Sequence, residues 1–256
     1  MEKRFNLWQG GDVEISFYPA EHKATKATIV IFPGGGYRGR AAHEGVNFAA
    51  LFNTFGMNAF VVHYRVSPNR FPLPLLDARR AVRFVRANAE LFGIDKDKVI
   101  VIGSSAGGHL AALLSTYFDQ IDGEGVDRID DEDYLPNAQI LCYPVISSDE
   151  SISHVGSYQN LLGDDYEKRD KFSPDLLVSE RTPKAFIWHT VTDSVVSVRN
   201  SYRYAEALLN KGVSYELHVF PLGTHGEALG AYSSYLSEWT VLLRRWLTLN
   251  GYLNNF

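Results

Sequence analysis

The chain has 256 residues, with 25 basic against 30 acidic side chains for a net charge of -5, and is 45% apolar. This excludes disorder, gives ample material for a core, and leaves no cationic excess for nucleic acid at a pI of about 5.9. Residues 1–11 lack an apolar leader and nowhere do about 18 apolar residues run together, so a soluble cytoplasmic protein without a membrane partner is expected. The single cysteine, Cys142, permits no internal disulfide and no cysteine-built zinc site.

In chain order, short β-branched runs predict strands over residues 13–18, 28–32, 58–63, 99–102, 139–142, 185–189 and 215–220. Segments of helical period lie between them, at 44–55, 106–118, 198–211 and 233–249. A further helix is predicted where Leu75, Ala78, Val82, Val85, Ala89 and Phe92 recur at three and four residues, with Arg79, Arg80, Arg83 and Arg86 on its other side. The alternation predicts an α/β fold: one mostly parallel seven-stranded sheet with helices on both faces, a single domain over 1–256 and no large cap. Between Asp119 and Asp133 lie eight carboxylates with Arg128 as the sole cation. A divalent-cation loop would need EF-hand spacing, which is absent, so a solvated surface excursion is expected.

The strongest local signal is Gly103-Ser104-Ser105-Ala106-Gly107, directly after one strand and directly before an apolar helix. This is the context of a nucleophile elbow, where a sharp turn projects the central serine from the sheet edge and the glycines remove Cβ atoms that would collide. Ser105 also stands at a helix N-terminus, where free N–H groups and the dipole favour a developing oxyanion.

A serine hydroxyl needs a base, and the base needs an acceptor to hold its tautomer. Of the histidines after Ser105, His109 falls in the following helix, and His189 and His218 fall inside strands. His225, on the glycine-flanked loop Gly223-Thr224-His225-Gly226 after the 215–220 strand, fits the base. Asp193, on the loop after the 185–189 strand, fits the acid better than Asp164, Asp165, Asp170 or Asp175; capping the helix near Val198, or a turn with Ser194, are its other readings. The oxyanion needs N–H donors. Ala106 supplies one, and Pro33-Gly34-Gly35-Gly36-Tyr37 offers Gly35 or Gly36 as the other. No phosphate-loop spacing accompanies those glycines.

Together, Phe32-Pro-Gly-Gly-Gly-Tyr37, Tyr64-Arg-Val-Ser67, Pro72-Leu-Pro-Leu-Leu-Asp77, Gly103-Ser-Ser-Ala-Gly-Gly-His-Leu-Ala111, Trp188-His-Thr190 with Asp193, and Thr224-His-Gly226 resemble the α/β-hydrolase superfamily. Within it the chain is similar to the small acetylxylan-esterase-like carbohydrate acetyl esterases. The resemblance implies Ser105 as nucleophile, Asp193 as orienting acid, His225 as general base, and Gly35, Gly36 and Ala106 as the oxyanion site. It also implies hydrolysis of short acyl esters, acetyl groups on small sugars among them, with no cofactor and no metal. Pro33 stands where many such enzymes carry histidine.

Tyr37, Tyr143 and Trp188 are expected as walls of a small acyl pocket. Activity is expected to fall as the pH drops through the histidine range, ordinarily near ~6.5. An amidase, peptidase or arylformamidase would share this triad, and a non-catalytic binding protein would keep the fold without turnover. Trp239 and Trp246 of the last helix fit either a homodimer seam or the core.

Overall fold

The computed structural model describes residues 2–11, 13–231 and 233–254. Its strands are β1 (Lys3–Asn6), β2 (Glu14–Tyr18), β3 (Thr28–Phe32), β4 (Asn58–Val62), β5 (Val99–Ser104), β6 (Ala138–Cys142), β7 (Ala185–Thr190) and β8 (Tyr215–Phe220). The helices are α1 (Ala42–Thr54), α2 (Leu73–Ala87), α3 (Ala89–Phe92), α4 (Ser105–Thr116), α5 (Val155–Leu162), α6 (Pro174–Leu177), α7 (Arg199–Asn210) and α8 (Glu238–Leu249). Among the described residues the strands form one eight-stranded sheet in the order β1-β2-β4-β3-β5-β6-β7-β8. From β4 to β8 the neighbours run parallel, whereas β1 and β2 join the β4 edge antiparallel.

The expected seven strands are present, and β1 is the eighth. It escaped the pattern because Lys3, Arg4, Phe5 and Asn6 hold one apolar residue in four, as suits a partly exposed edge strand. The long helix expected from residue 75 onward is interrupted at Asn88, which has φ -107° and ψ 23° and separates α2 from α3.

The period of two along each strand sorts the core into two layers. Ile29, Ile31, Ile100, Ile102 and Ile140 point to the face covered by Phe48 and Phe52 of α1 and Trp239, Leu243 and Trp246 of α8. Val30, Phe32, Val99, Val101, Leu141 and Ile187 point to the other, covered by α2, α4 and α7 through Leu75, Val82, Leu110, Leu113, Tyr204 and Leu208. Trp239 and Trp246 are therefore core residues, not a dimer seam: Trp239 stacks on Trp188 with centroids 5.0 Å apart, and both helix tryptophans are buried.

The acidic stretch is a solvated excursion only in part: Asp119, Asp122, Asp131 and Asp133 are exposed, whereas Glu124, Asp127 and Asp130 are drawn onto α2. Arg80, 2% exposed, binds Asp127 at 2.6 Å and Asp130 at 2.9 Å, and Glu124 takes Arg79 at 3.0 Å and Arg83 at 3.2 Å. The arginine side of α2 is thus a second packing face, with the carboxylates of residues 124–130 laid over it. Sequence periodicity shows which face is apolar, but a charged face with complementary charges elsewhere in the chain can be just as covered.

Candidate active site

Ser105 follows β5 at the first turn of α4 and sits at φ +53°, a left-handed conformation costing a side-chain-bearing residue about 1–3 kcal/mol. The turn can be this tight only because its flanks lack Cβ atoms. A Cβ on Gly103 would lie 2.0 Å from the Gly107 carbonyl oxygen, and one on Gly107 would lie 2.0 Å from that of Phe32.

The Ser105 hydroxyl lies 2.8 Å from His225 Nε2, and His225 Nδ1 lies 2.7 Å from Asp193 Oδ2. An ionised carboxylate only accepts, so Nδ1 carries the ring proton and Nε2 is left to accept from the serine. The three side chains come from the parallel strands' C-terminal ends: Ser105 after β5, Asp193 after β7 and His225 after β8.

Asp193 does not cap α7, whose N-cap Val198 has no side-chain cap, but it holds the local turn after Ser194 while facing the imidazole. Its Oδ1 accepts from the N–H groups of Val195 and Val196 at 2.9 Å each, while Oδ2 faces the imidazole. Burial alone would raise its pKa, but hydrogen bonds from His189, His225 and the Val196 N–H outweigh that penalty and hold the carboxyl well below the usual carboxylate range. It is charged at any pH at which the serine can be assayed.

His189, set aside in the sequence because it lies in a strand, also faces Asp193. Its Nε2 is 3.0 Å from the Val196 carbonyl and 3.3 Å from Asp193 Oδ2, both acceptors, so Nε2 bears the proton and Nδ1 accepts from Ser201 at 2.8 Å. The signal was its place near the C-terminal end of β7, four residues before the acid.

Gly35 and Gly36 line a cavity of about 500 Å³ beside Ser105 and His225, which also includes Arg38, His43, Glu44, His154 and Asn160. The Gly34 carbonyl accepts from Ala41 and the Gly35 carbonyl from Arg38 and Gly39, which folds the segment into a compact turn. Gly35 and Gly36 take φ +130° and +63°. Ala106 is the second residue of α4, so its N–H has no carbonyl one helical turn earlier to bind.

The three aromatics expected as walls do not line this cavity. Tyr37, Tyr143 and Trp188 are buried to within 1% of full coverage. The Tyr37 hydroxyl donates to His109 Nδ1 at 2.8 Å, the Tyr143 hydroxyl donates to Glu44 Oε1 at 2.8 Å, and Trp188 packs between Tyr143 and Trp239. Trp188 lies within β7, Tyr143 directly follows β6 and Tyr37 follows the glycine-rich turn; each ring turns inward, where its large apolar area is better used. The cavity is lined instead by the glycines, Ala41 and Val195, with Arg38, His43, His154 and Asn160 as its polar side chains. His109 is a structural partner: burial lowers its pKa to about 4, and its Nε2 donates to the Phe172 carbonyl at 2.9 Å.

A largely parallel sheet of this order, with its serine on the turn after β5 and the acid and histidine on loops after β7 and β8, is the α/β-hydrolase arrangement. The chain belongs to the BD-FAE family, whose model matches residues 14–208. It is 37% identical over 93% of its length to endo-1,4-beta-xylanase B of Butyrivibrio fibrisolvens, and 32% identical over 94% of its length to the acetylxylan esterase of Xylanibacter ruminicola. It spans 40% and 49% of the lengths of those two proteins. The crystal structure of the acetyl ester-xyloside bifunctional hydrolase from Caldicellulosiruptor lactoaceticus superposes with a TM-score of 0.92, at 39% identity, over 98% of this chain and 97% of that one. Among the described residues, no helix is long and apolar enough to cross a membrane.

Proposed function

We propose that this protein is a serine carboxylesterase that removes short acyl groups, acetyl foremost, from small carbohydrates through an acyl-enzyme. The observation that carries this reading is the unbroken relay from Ser105 through His225 to the ionised Asp193, opening on a cavity floored by Gly35 and Gly36. His225 takes the serine proton as Oγ attacks the ester carbonyl carbon. The N–H groups of Ala106 and of Gly35 or Gly36 receive the oxygen that becomes negative, and His225 then returns its proton to the departing alcohol. Water, deprotonated by the same imidazole, attacks the acyl-serine and frees the acid. The polar rim of Arg38, His43, His154 and Asn160 suits an alcohol part with several hydroxyls, and the acetylxylan esterase and acetyl ester-xyloside hydrolase similarities point to the same substrate class.

A series of nitrophenyl esters from acetate to octanoate, assayed across pH beside peracetylated xylose, tests the reading. Acetate is expected to give the highest kcat/KM, and peracetylated xylose to release acetate. On the acid side kcat/KM is expected to fall about tenfold per pH unit, as for loss of a single base. Protonation of His225 removes that base, whereas Asp193, held low by its hydrogen bonds, stays ionised. A preference for octanoate, or a flat profile between about pH 5 and 8, contradicts the assignment.

A further inference from the structure

Glu44 is a glutamate 2% exposed to solvent, on the first turn of α1 just after the glycine-rich segment. Its Oε2 accepts from the Gly34 N–H at 2.6 Å, and its Oε1 accepts from the Tyr143 hydroxyl at 2.8 Å. That hydroxyl in turn accepts from the N–H of Ala228, 3.0 Å away and three residues beyond His225. The Tyr143 ring lies edge-on to the His225 imidazole with centroids 5.2 Å apart.

One buried carboxylate is therefore tied on one side to the loop that carries Gly35 and Gly36, and on the other, through a tyrosine, to the loop that carries His225. Two of the tied residues are held in left-handed conformations without being glycine: Tyr143 at φ +37° and Ala228 at φ +49°. Such conformations persist only where surrounding contacts over-determine them, and they gather where geometry matters to function. The room around the carboxylate is also closed, since a Cβ on Gly34 would meet Glu44 Oε2 at 2.7 Å and Ser105 Cβ at 3.0 Å.

We infer that Glu44 and Tyr143 form a positioning bridge that sets the oxyanion loop and the His225 loop in register with Ser105. The inference rests on the serine-esterase reading and adds to it two residues that touch none of the reacting atoms. Catalytic donors must be held to within a fraction of an ångström, and a carboxylate shared by both loops transmits the position of each to the other.

The carboxylate is the right group for this task, because both facing groups are donors and it only accepts. A glutamine of the same shape can keep its oxygen on the Gly34 N–H, but its NH2 then donates to the Tyr143 hydroxyl, which already accepts from the Ala228 N–H and is left without the acceptor for its own proton. Glu44→Gln is expected to lower kcat for nitrophenyl acetate by about 10- to 100-fold, less than the ~10²–10³-fold cost of deleting an oxyanion donor. KM is expected to stay within about twofold, since the lost interaction is made in the transition state. Rates are counted per active site, titrated with a fluorophosphonate, so that misfolded protein does not enter the comparison.

Tyr143→Phe provides the second arm. Without the hydroxyl the amide has only the Gly34 N–H to satisfy, so Glu44→Gln is expected to cost less in that background than in the wild type. Unchanged kcat per titrated site in Glu44→Gln, a loss carried by KM, or fully additive losses would each overturn the bridge. A wild type that neither labels nor turns over would overturn the esterase reading and the bridge with it. A wild type that does both, beside an unaffected Glu44→Gln, overturns the bridge alone.

Discussion

Ser105→Ala is expected to lower kcat for nitrophenyl acetate by about 10⁴- to 10⁶-fold while leaving the melting temperature unchanged or higher. Among the described residues the Ser105 hydroxyl is the group that His225 Nε2 binds, at 2.8 Å, and alanine leaves no nucleophile in its place. The same substitution relieves nothing of the backbone turn at φ +53°, so the site keeps its shape and binds substrate as before. His225→Ala is expected to approach the same loss, and the double variant to fall little further, because nucleophile and base act as one unit. Stepwise multiplication of the two losses would show instead that serine and histidine work independently.

Gly107→Ala is expected to have the largest effect on stability. The added methyl carbon would stand 2.0 Å from the Phe32 carbonyl oxygen and 2.6 Å from that of Pro33, and both are backbone atoms that cannot swing aside. Relief requires α4 to withdraw from the end of β3, which opens the packing around Ala106, Leu110 and Phe32 and displaces the glycine-rich turn that begins at Gly34. A loss above about 4 kcal/mol is expected, enough to leave much of a marginally stable domain unfolded. Gly39→Ala is the matched control. A Cβ there meets nothing within 4 Å, and a change within about 0.5 kcal/mol is expected. Circular dichroism melts of the pair measure the difference, and similar melts for both would mean that the strand–helix junction is looser than its geometry implies.

Elements whose sequence pattern has one cause were legible. Runs such as Thr28–Phe32 and Val99–Ile102 are apolar on both sides because a central parallel strand is buried on both faces. The elbow was legible for a similar reason, since glycines at 103 and 107 flanking Ser105 between a strand and a helix answer a steric need local to five residues.

Where several structures share one pattern, the sequence was silent or misleading. Arg79, Arg80, Arg83 and Arg86 look like a solvated helix face, and only the fold brings Glu124, Asp127 and Asp130 over three of them. Tyr37, Tyr143 and Trp188 lie near the right sheet edge, but nothing in the order of residues says which way a ring turns, and all three turn inward. Glu44 was missed altogether. Its partners at 34, 143 and 228 are scattered through the chain, and the one available clue was an acid at a helix start directly after a glycine-rich turn.

Rapid acid quench of the enzyme with nitrophenyl acetate, followed by peptide mass spectrometry, tests the central claim most directly. The reading requires one acetyl group on the peptide containing Ser105, formed as fast as the first nitrophenol is released, and absent in both Ser105→Ala and His225→Ala. Full turnover by the wild type with no acetyl on that peptide at any quench time, or acetylation that survives in Ser105→Ala, would contradict it.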